Sequence, residues 1–393
     1  MKSEDTLFGK DFIILNAILF LSYFNVAVFF QFPTYLQHGL GIRPEWIGVL
    51  ISVFALTGLL LRPFASVLIQ PVNARRYIFF SIIGLVASLT LYSTAQTVSG
   101  VFAVRIVHGL FYVIFGTALM TEIVGCVPRS RSGQAFGMIA VITLLPYAVM
   151  PPLLKPLSEG LGGFVPVLLV LAALMLLVLP LAGALKAPLE KAGGKPEGKI
   201  AKQDFIHNFR NTSLAVIFLL SLFVFTSFSA TFFYLKGHGL NNGLRNPGWF
   251  FTISTAMEIG VRIFAGSFFD RINKVFFLGA SLLILGAGYF FLAVAHSPVV
   301  FFGLAVLFGL AWGVGLPLIN SLIFDYSEPS LRPFNTNFGL EMFQGGFFLG
   351  SLAGGLVLSR WGYAAIFQSC ALLCLACVAL IFLLRRGHRR SVS

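Results

Sequence analysis

Long apolar runs separated by short polar interruptions fill almost the whole chain. The first six occupy about 12 to 36, 46 to 69, 76 to 96, 99 to 126, 133 to 157 and 163 to 185. Six more follow at about 212 to 235, 248 to 269, 275 to 296, 299 to 324, 335 to 358 and 362 to 384. Each reaches the roughly 20 residues that a helix rising 1.5 Å per residue needs to cross a bilayer core. Backbone amides in hydrocarbon must bond within their own segment, so such runs are helices. The pattern predicts an all-α polytopic membrane protein of twelve transmembrane helices in two pseudo-symmetric six-helix lobes, residues 1–185 and 212–393.

The two series match each other. At an offset of 200 residues, Arg62-Pro63-Phe64-Ala65-Ser66 meets Arg262-Ile263-Phe264-Ala265-Gly266, Asn73 meets Asn273, Phe102 meets Phe302, and Gly109-Leu110 meets Gly309-Leu310. Between the copies, residues 186–211 (KAPLEKAGGKPEGKIAKQDFIHNFRN) are polar and charged and read as a cytoplasmic linker. A repeat of this size points to a secondary transporter with a midplane site between the lobes.

Composition narrows the class further. Of the 393 residues 58% are apolar and 10% charged, and the mean hydropathy is +0.91. That leaves no room for a large soluble catalytic domain, a coiled coil, a disordered regulator or a disulfide-stapled secreted module. The net charge of +13 is not a nucleic-acid footprint, because so little of the chain is free to form an exposed basic face. It is a topology signal. With the N-terminus inside, 19 of the 27 Lys and Arg lie on the inner side, among them Lys2, Lys10, Arg75, Arg76, the linker set and the basic tail. Arg43, Lys155, Lys236, Arg245 and Arg360 lie outside, and Arg62, Arg105 and Arg262 lie within spans. Both termini are therefore expected in the cytoplasm. The opening segment leads into a run too long for a signal-peptide core and reads as a retained first span. Cys370, Cys374 and Cys377 line one helix face as small hydrophobes.

Several motifs carry a resemblance. Gly266, Asp270, Arg271 and Lys274 follow the loop signature between the second and third spans of each half, which is degraded to Ser66, Gln70 and Pro71 in the first half although Arg75 and Arg76 survive. Arg105-Ile-Val-His108-Gly109 follows a fourth-span signature. With VPRSRSGQAFG at 127–137 and FGLAWGVGLPLINSL at 308–322, the chain resembles the Major Facilitator Superfamily over nearly its full length, and its bacterial efflux-permease-like branch in detail. The resemblance implies alternating access of two lobes in a bacterial inner membrane. The fifth span departs from the family's antiporter pattern, having Pro146, Pro151 and Pro152 but few glycines. Gly346, Gly350 and Gly354 of the eleventh span have the spacing of close helix packing.

Ionisable groups inside spans are the leading functional candidates, because each is costly in hydrocarbon unless it is partnered or faces water. Arg105 and His108 share a face of the fourth span, and Tyr112 continues it. A guanidinium facing a cavity would hold a carboxylate or phosphate in a fork; the alternative is a helix-packing role. The resemblance implies that the first and seventh helices line the cavity. Tyr23, Asn25 and Gln31, then Thr226 and Ser229, are accordingly candidates for orienting a substrate, with Trp312, Asn320 and Gln344 beside them; bonds to their own helix backbone are the alternative. Glu258 precedes Arg262 by one turn and can pair with it. Glu341 has no basic residue within four positions and is the candidate proton carrier. Arg62 and Glu341 each lie eight residues from the inner end of a span, about 12 Å deep. The resemblance sets those spans opposite each other, so an Arg62 to Glu341 gate is expected, with Asp270 and Arg271 as an inner latch.

The linker contains Gly193-Gly-Lys-Pro-Glu-Gly198-Lys199-Ile200, a phosphate-loop pattern that fails where Ile200 replaces the magnesium-holding hydroxyl. No cofactor and no enzyme activity are expected. The sequence reads as a proton-coupled secondary transporter of a small organic molecule, acting as a monomer in the lipid bilayer without nucleic acid. Export of a drug-like, sugar or metabolite compound is favoured. Uptake of an organic anion and a transport-inactive receptor are the rivals. A reporter enzyme active only in the periplasm, fused after Arg390, should give no signal; a strong signal would overturn the orientation.

Overall fold

The computed structural model describes residues 8–128, 131–186, 211–265, 273–328 and 331–391, and every regular element among them is helical. In chain order these are α1 (Lys10–Gly39), α2 (Pro44–Leu68), α3 (Ala74–Leu91), α4 (Val98–Gly125), α5 (Ser132–Leu161) and α6 (Phe164–Gly183). The second series is α7 (Thr212–Asn241), α8 (Trp249–Ala265), α9 (Lys274–Ala293) and α10 (Pro298–Asp325). A last helix, Arg332–Ser391, breaks at Gly362, whose φ of 79° only glycine adopts at low cost, and so divides into α11 (332–361) and α12 (363–391). Among the described residues ten helices are long and apolar enough to cross a bilayer, one of them running through the Gly362 break. The 17 residues of α8 stop where the described residues do. The count is compatible with twelve spans.

The chain divides into two compact units, Met1–Ile42 with Val53–Lys195, and Arg43–Ser52 with Pro196–Ser393. The start of α2 counts with the second unit because Gly48 meets Ser351, Leu352 and Gly355 backbone to backbone.

Helix punctuation follows the repeat. Asn73 precedes α3 and Asn273 precedes α9, where the Asn273 side chain accepts the Phe276 amide at 3.0 Å. Thr97 and Ser297 hold the matching positions before α4 and α10. Gly162, with φ of 85°, ends α5 as Gly362 ends α11. Packing repeats too. A side chain on Gly109 of α4 would press on Thr57 and Phe54 of α2, and one on Gly309 of α10 would strike Ser254 and Met257 of α8, each the partner 200 residues on.

Helix α1 departs from the regular ladder. It is α-helical to Ala27, a 3-10 turn from Val28 to Gln31, briefly α again, and a π turn from Tyr35 to Gly39. Pro33 has no N–H to offer the Phe29 carbonyl, which accepts from the Phe32 amide instead, and the hydrogen-bond spacing shifts.

The outward faces are apolar. In α6, Leu169, Val170, Leu174 and Leu177 are exposed while Leu168, Leu171 and Met175 are buried. A helix apolar on every side, with half of that surface uncovered, has lipid as its solvent. Within the second unit Gly346, Gly350 and Gly354 sit against α7, where a Cβ on Gly350 would overlap the Thr226 carbonyl. Gly350→Ala should therefore cost about 1–3 kcal/mol by overpacking and lower the thermal midpoint. Gly116→Ala, which meets nothing within 4 Å, should leave the midpoint unchanged or raise it.

Candidate functional site

In the first unit, Arg105 and His108 of α4 are held by α1 and by Tyr92, which follows α3. Arg105 is 1% exposed. Its guanidinium carbon lies 4.8 Å from the ring centres of Phe29 and Phe54 and 5.1 Å from that of Phe32, a cage of three aromatic rings. It also hydrogen-bonds the Tyr92 hydroxyl. That hydroxyl is 3.3 Å from His108 Nδ1, and His108 Nε2 is 2.7 Å from Asn25 Oδ1. With the Asn25 amide oxygen turned towards Nε2, the hydrogen-bond pattern assigns the His108 proton to Nε2 and lets Nδ1 accept from the phenol. A continuous chain thus runs from Arg105 through Tyr92 and His108 to Asn25, and it grips α1 beside its irregular turns. Gln31, within the 3-10 turn, is tied to Ser158 of α5 at 3.0 Å.

A second group in this unit keeps part of its surface open. Arg62 of α2, Tyr23 of α1 and Tyr112 of α4 are each part-exposed, and Tyr147 of α5 is 8% exposed. The rings of Tyr23 and Tyr147 meet edge-on at 6.2 Å, and Tyr112 packs on Phe54 at 5.2 Å. Arg62 is within electrostatic reach of both Tyr23 and Tyr112. Sequence reasoning missed Tyr147; the available signal was its place opposite Phe347 in the repeat.

In the second unit Glu258 is 2% exposed and its carboxylate lies 2.6 Å from Arg262 on the same helix. Trp312 is buried between Phe228 at 4.8 Å and Phe308 at 5.2 Å. Phe347 continues this aromatic face beside Phe228 and Phe343, at 5.8 and 4.6 Å. Thr226 bonds its own helix at the Leu222 carbonyl, whereas Ser229, fully buried, reaches across to the Phe347 carbonyl of α11. Tyr234 does the same at the Ser351 carbonyl, 2.6 Å away. Gln344 is 8% exposed, Glu341 is part-exposed and Asn320 is exposed. Asp270 and Arg271 lie outside the described residues.

At one end of each unit an ion pair joins the start of the third helix to the end of the fourth. Arg75 lies 3.8 Å from Glu122, and Lys274 lies 2.6 Å from Asp325. Arg75 also donates to the carbonyls of Leu185 and Lys186, and so caps the end of the sixth span where the linker departs.

The family pattern described as Major Facilitator Superfamily matches residues 14–338 and 248–393. The chain is 21% identical over 397 residues to the staphylopine export protein of Staphylococcus aureus, with 96% of each chain covered. Its fold is similar to that of a mutant of the nucleoside transporter NupG, at a TM-score of 0.81 and 13% identity over 95% of this chain and 99% of that one. A bacterial homologue of the human lysosomal transporter Spinster, in an inward-facing and occupied conformation, gives a TM-score of 0.80 at 13% identity, covering 95% and 96%.

The buried chain from Arg105 to Asn25 generates a double-mutant test. His108→Ala strands polar partners on both sides and should cost about 1–3 kcal/mol, read as a lower thermal midpoint. Asn25→Ala with His108→Ala should cost less than the sum of the two single changes. Full additivity would show that the 2.7 Å contact carries no energy.

Proposed function

The chain belongs to the Major Facilitator Superfamily and is a membrane transporter, and from that premise we propose that it is a proton-coupled secondary exporter of a small organic molecule. The direction is carried by one observation, the end-to-end match with a staphylopine export protein. The cargo need not be that compound, since at 21% identity the lining is free to differ. Alternating access in a bacterial inner membrane, with both termini cytoplasmic, is part of this reading. It is supported by the basic asymmetry along the sequence.

Coupling is assigned to Glu341. An acid inside an apolar span is costly, which marks it as functional, and Glu341 lies part-exposed in α11. Glu258 instead pairs with Arg262 within α8.

Untargeted mass spectrometry of the culture medium tests the reading without advance knowledge of the cargo. Cells expressing the chain should accumulate at least one compound outside that control cells do not. A protonophore, or Glu341→Gln, should abolish that accumulation. Accumulation inside the cells would overturn export, and indifference to the protonophore would overturn proton coupling.

A further inference from the structure

The internal repeat supplies a control for every polar group in the first unit, because the residue 200 positions on shows what the same place looks like without it. Arg62 corresponds to Arg262, but the acid that neutralises Arg262, Glu258, corresponds to Gly58. One half therefore carries a paired guanidinium and the other a guanidinium whose helix offers it no carboxylate. The next acid back along α2 is Glu45, 17 residues and about 25 Å away. The other described acids of the first unit are engaged elsewhere: Glu122 with Arg75, Glu159 with Lys155, and Asp11 with the Lys186 amide. Nε is buried without a hydrogen-bond partner in Arg62 and Arg262 alike, so the halves differ in the carboxylate and not at this atom.

The rings around Arg62 show the same asymmetry. Tyr23, Tyr112 and Tyr147 correspond to Phe223, Trp312 and Phe347. Packing is satisfied in the second unit by aromatic rings without phenol groups, so the three hydroxyls of the first unit are not needed to fill space. Tyr23 and Tyr112 add phenol donors within electrostatic reach of Arg62, and Tyr147 adds a third against Tyr23, on helices of one unit. A guanidinium fork with phenol O–H donors is complementary to the oxygens of a carboxylate or phosphate, and the ring edges suit an organic body attached to it.

We propose that Arg62, Tyr23, Tyr112 and Tyr147 form an anion-recognition site in the first unit, which holds the carboxylate or phosphate of a small organic substrate. The proposal rests on the transporter reading and narrows its cargo to organic anions. It also separates the roles of two arginines. Caged by three rings, Arg105 holds α1 to α4, while Arg62 meets the substrate.

The test uses the purified full chain and three probes of one shape: benzoate, phenyl phosphate and the uncharged benzamide. The readout is the ligand-dependent rise in thermal midpoint. Benzoate or phenyl phosphate should stabilise the wild-type chain at millimolar concentration, and whichever does so distinguishes carboxylate from phosphate. Benzamide should not. Gly58→Glu installs the counterion that the other half already has, and should weaken the anion at least about tenfold, as should Arg62→Gln. Tyr23→Phe, which copies Phe223 and keeps the ring, should weaken it several-fold, so the site remains testable even if Arg62→Gln does not fold. No stabilisation by either anion, equal stabilisation by benzamide, or an undiminished anion effect in Gly58→Glu would each overturn the proposal. Binding needs no transport. Anion binding without export would remove the export reading and leave the site, whereas export of a neutral compound with no anion binding would remove the site alone.

Discussion

Hydrocarbon accepts no hydrogen bonds, and this constraint shapes every polar group in the protein. Each polar side chain inside a span must bond its own helix, bond a neighbouring helix, or face water. Ser22, Ser52, Thr57, Ser88 and Thr226 take the first course, each returning its hydroxyl to a carbonyl three or four residues back. Ser229, Tyr234 and Ser281 take the second, each donating to a carbonyl of another helix. Few remain for the third course, and these few are where a transported molecule can be gripped.

The same constraint explains the contrast between two arginines of one unit. Arg105 has given up its water entirely and is compensated by aromatic faces, a phenol and the chain that leads through His108 to Asn25. A group so enclosed costs most to disturb, which suits it to holding an irregular helix. Arg62 keeps part of its surface open and lies within electrostatic reach of the Tyr23 and Tyr112 phenols instead.

Much of the fold was legible in the sequence, because apolar spans and an internal repeat are written in one-dimensional patterns. The Glu258 to Arg262 contact was legible for the same reason, as a spacing of four on one helix. So was the close approach at Gly346, Gly350 and Gly354. What could not be read was which side of a span meets which neighbour. Arg105, His108 and Tyr112 share a face by periodicity, yet Arg105 and His108 point into Phe29, Phe32 and Phe54 while Tyr112 stays part-exposed; only the arrangement of four helices separates them. Pro33 marked a weak point in the first span, but its effect, a 3-10 turn on one side and a π turn on the other, depends on what α1 packs against.

Gly109 and Gly309 press on partners at the same two positions of the preceding even-numbered span, which means that this helix joint was made once and then copied. A chain that arose by doubling inherits two sets of joints and two sets of linings. The joints are held in place by steric demand, since a methyl group on either glycine collides with its neighbour. The linings carry no such demand and are free to drift apart. Descendants of one ancestral half can therefore acquire unlike interiors, one rich in phenols and the other in plain rings, without any helix being moved. New cargo specificity in such a lineage comes by repainting one half of an unchanged frame.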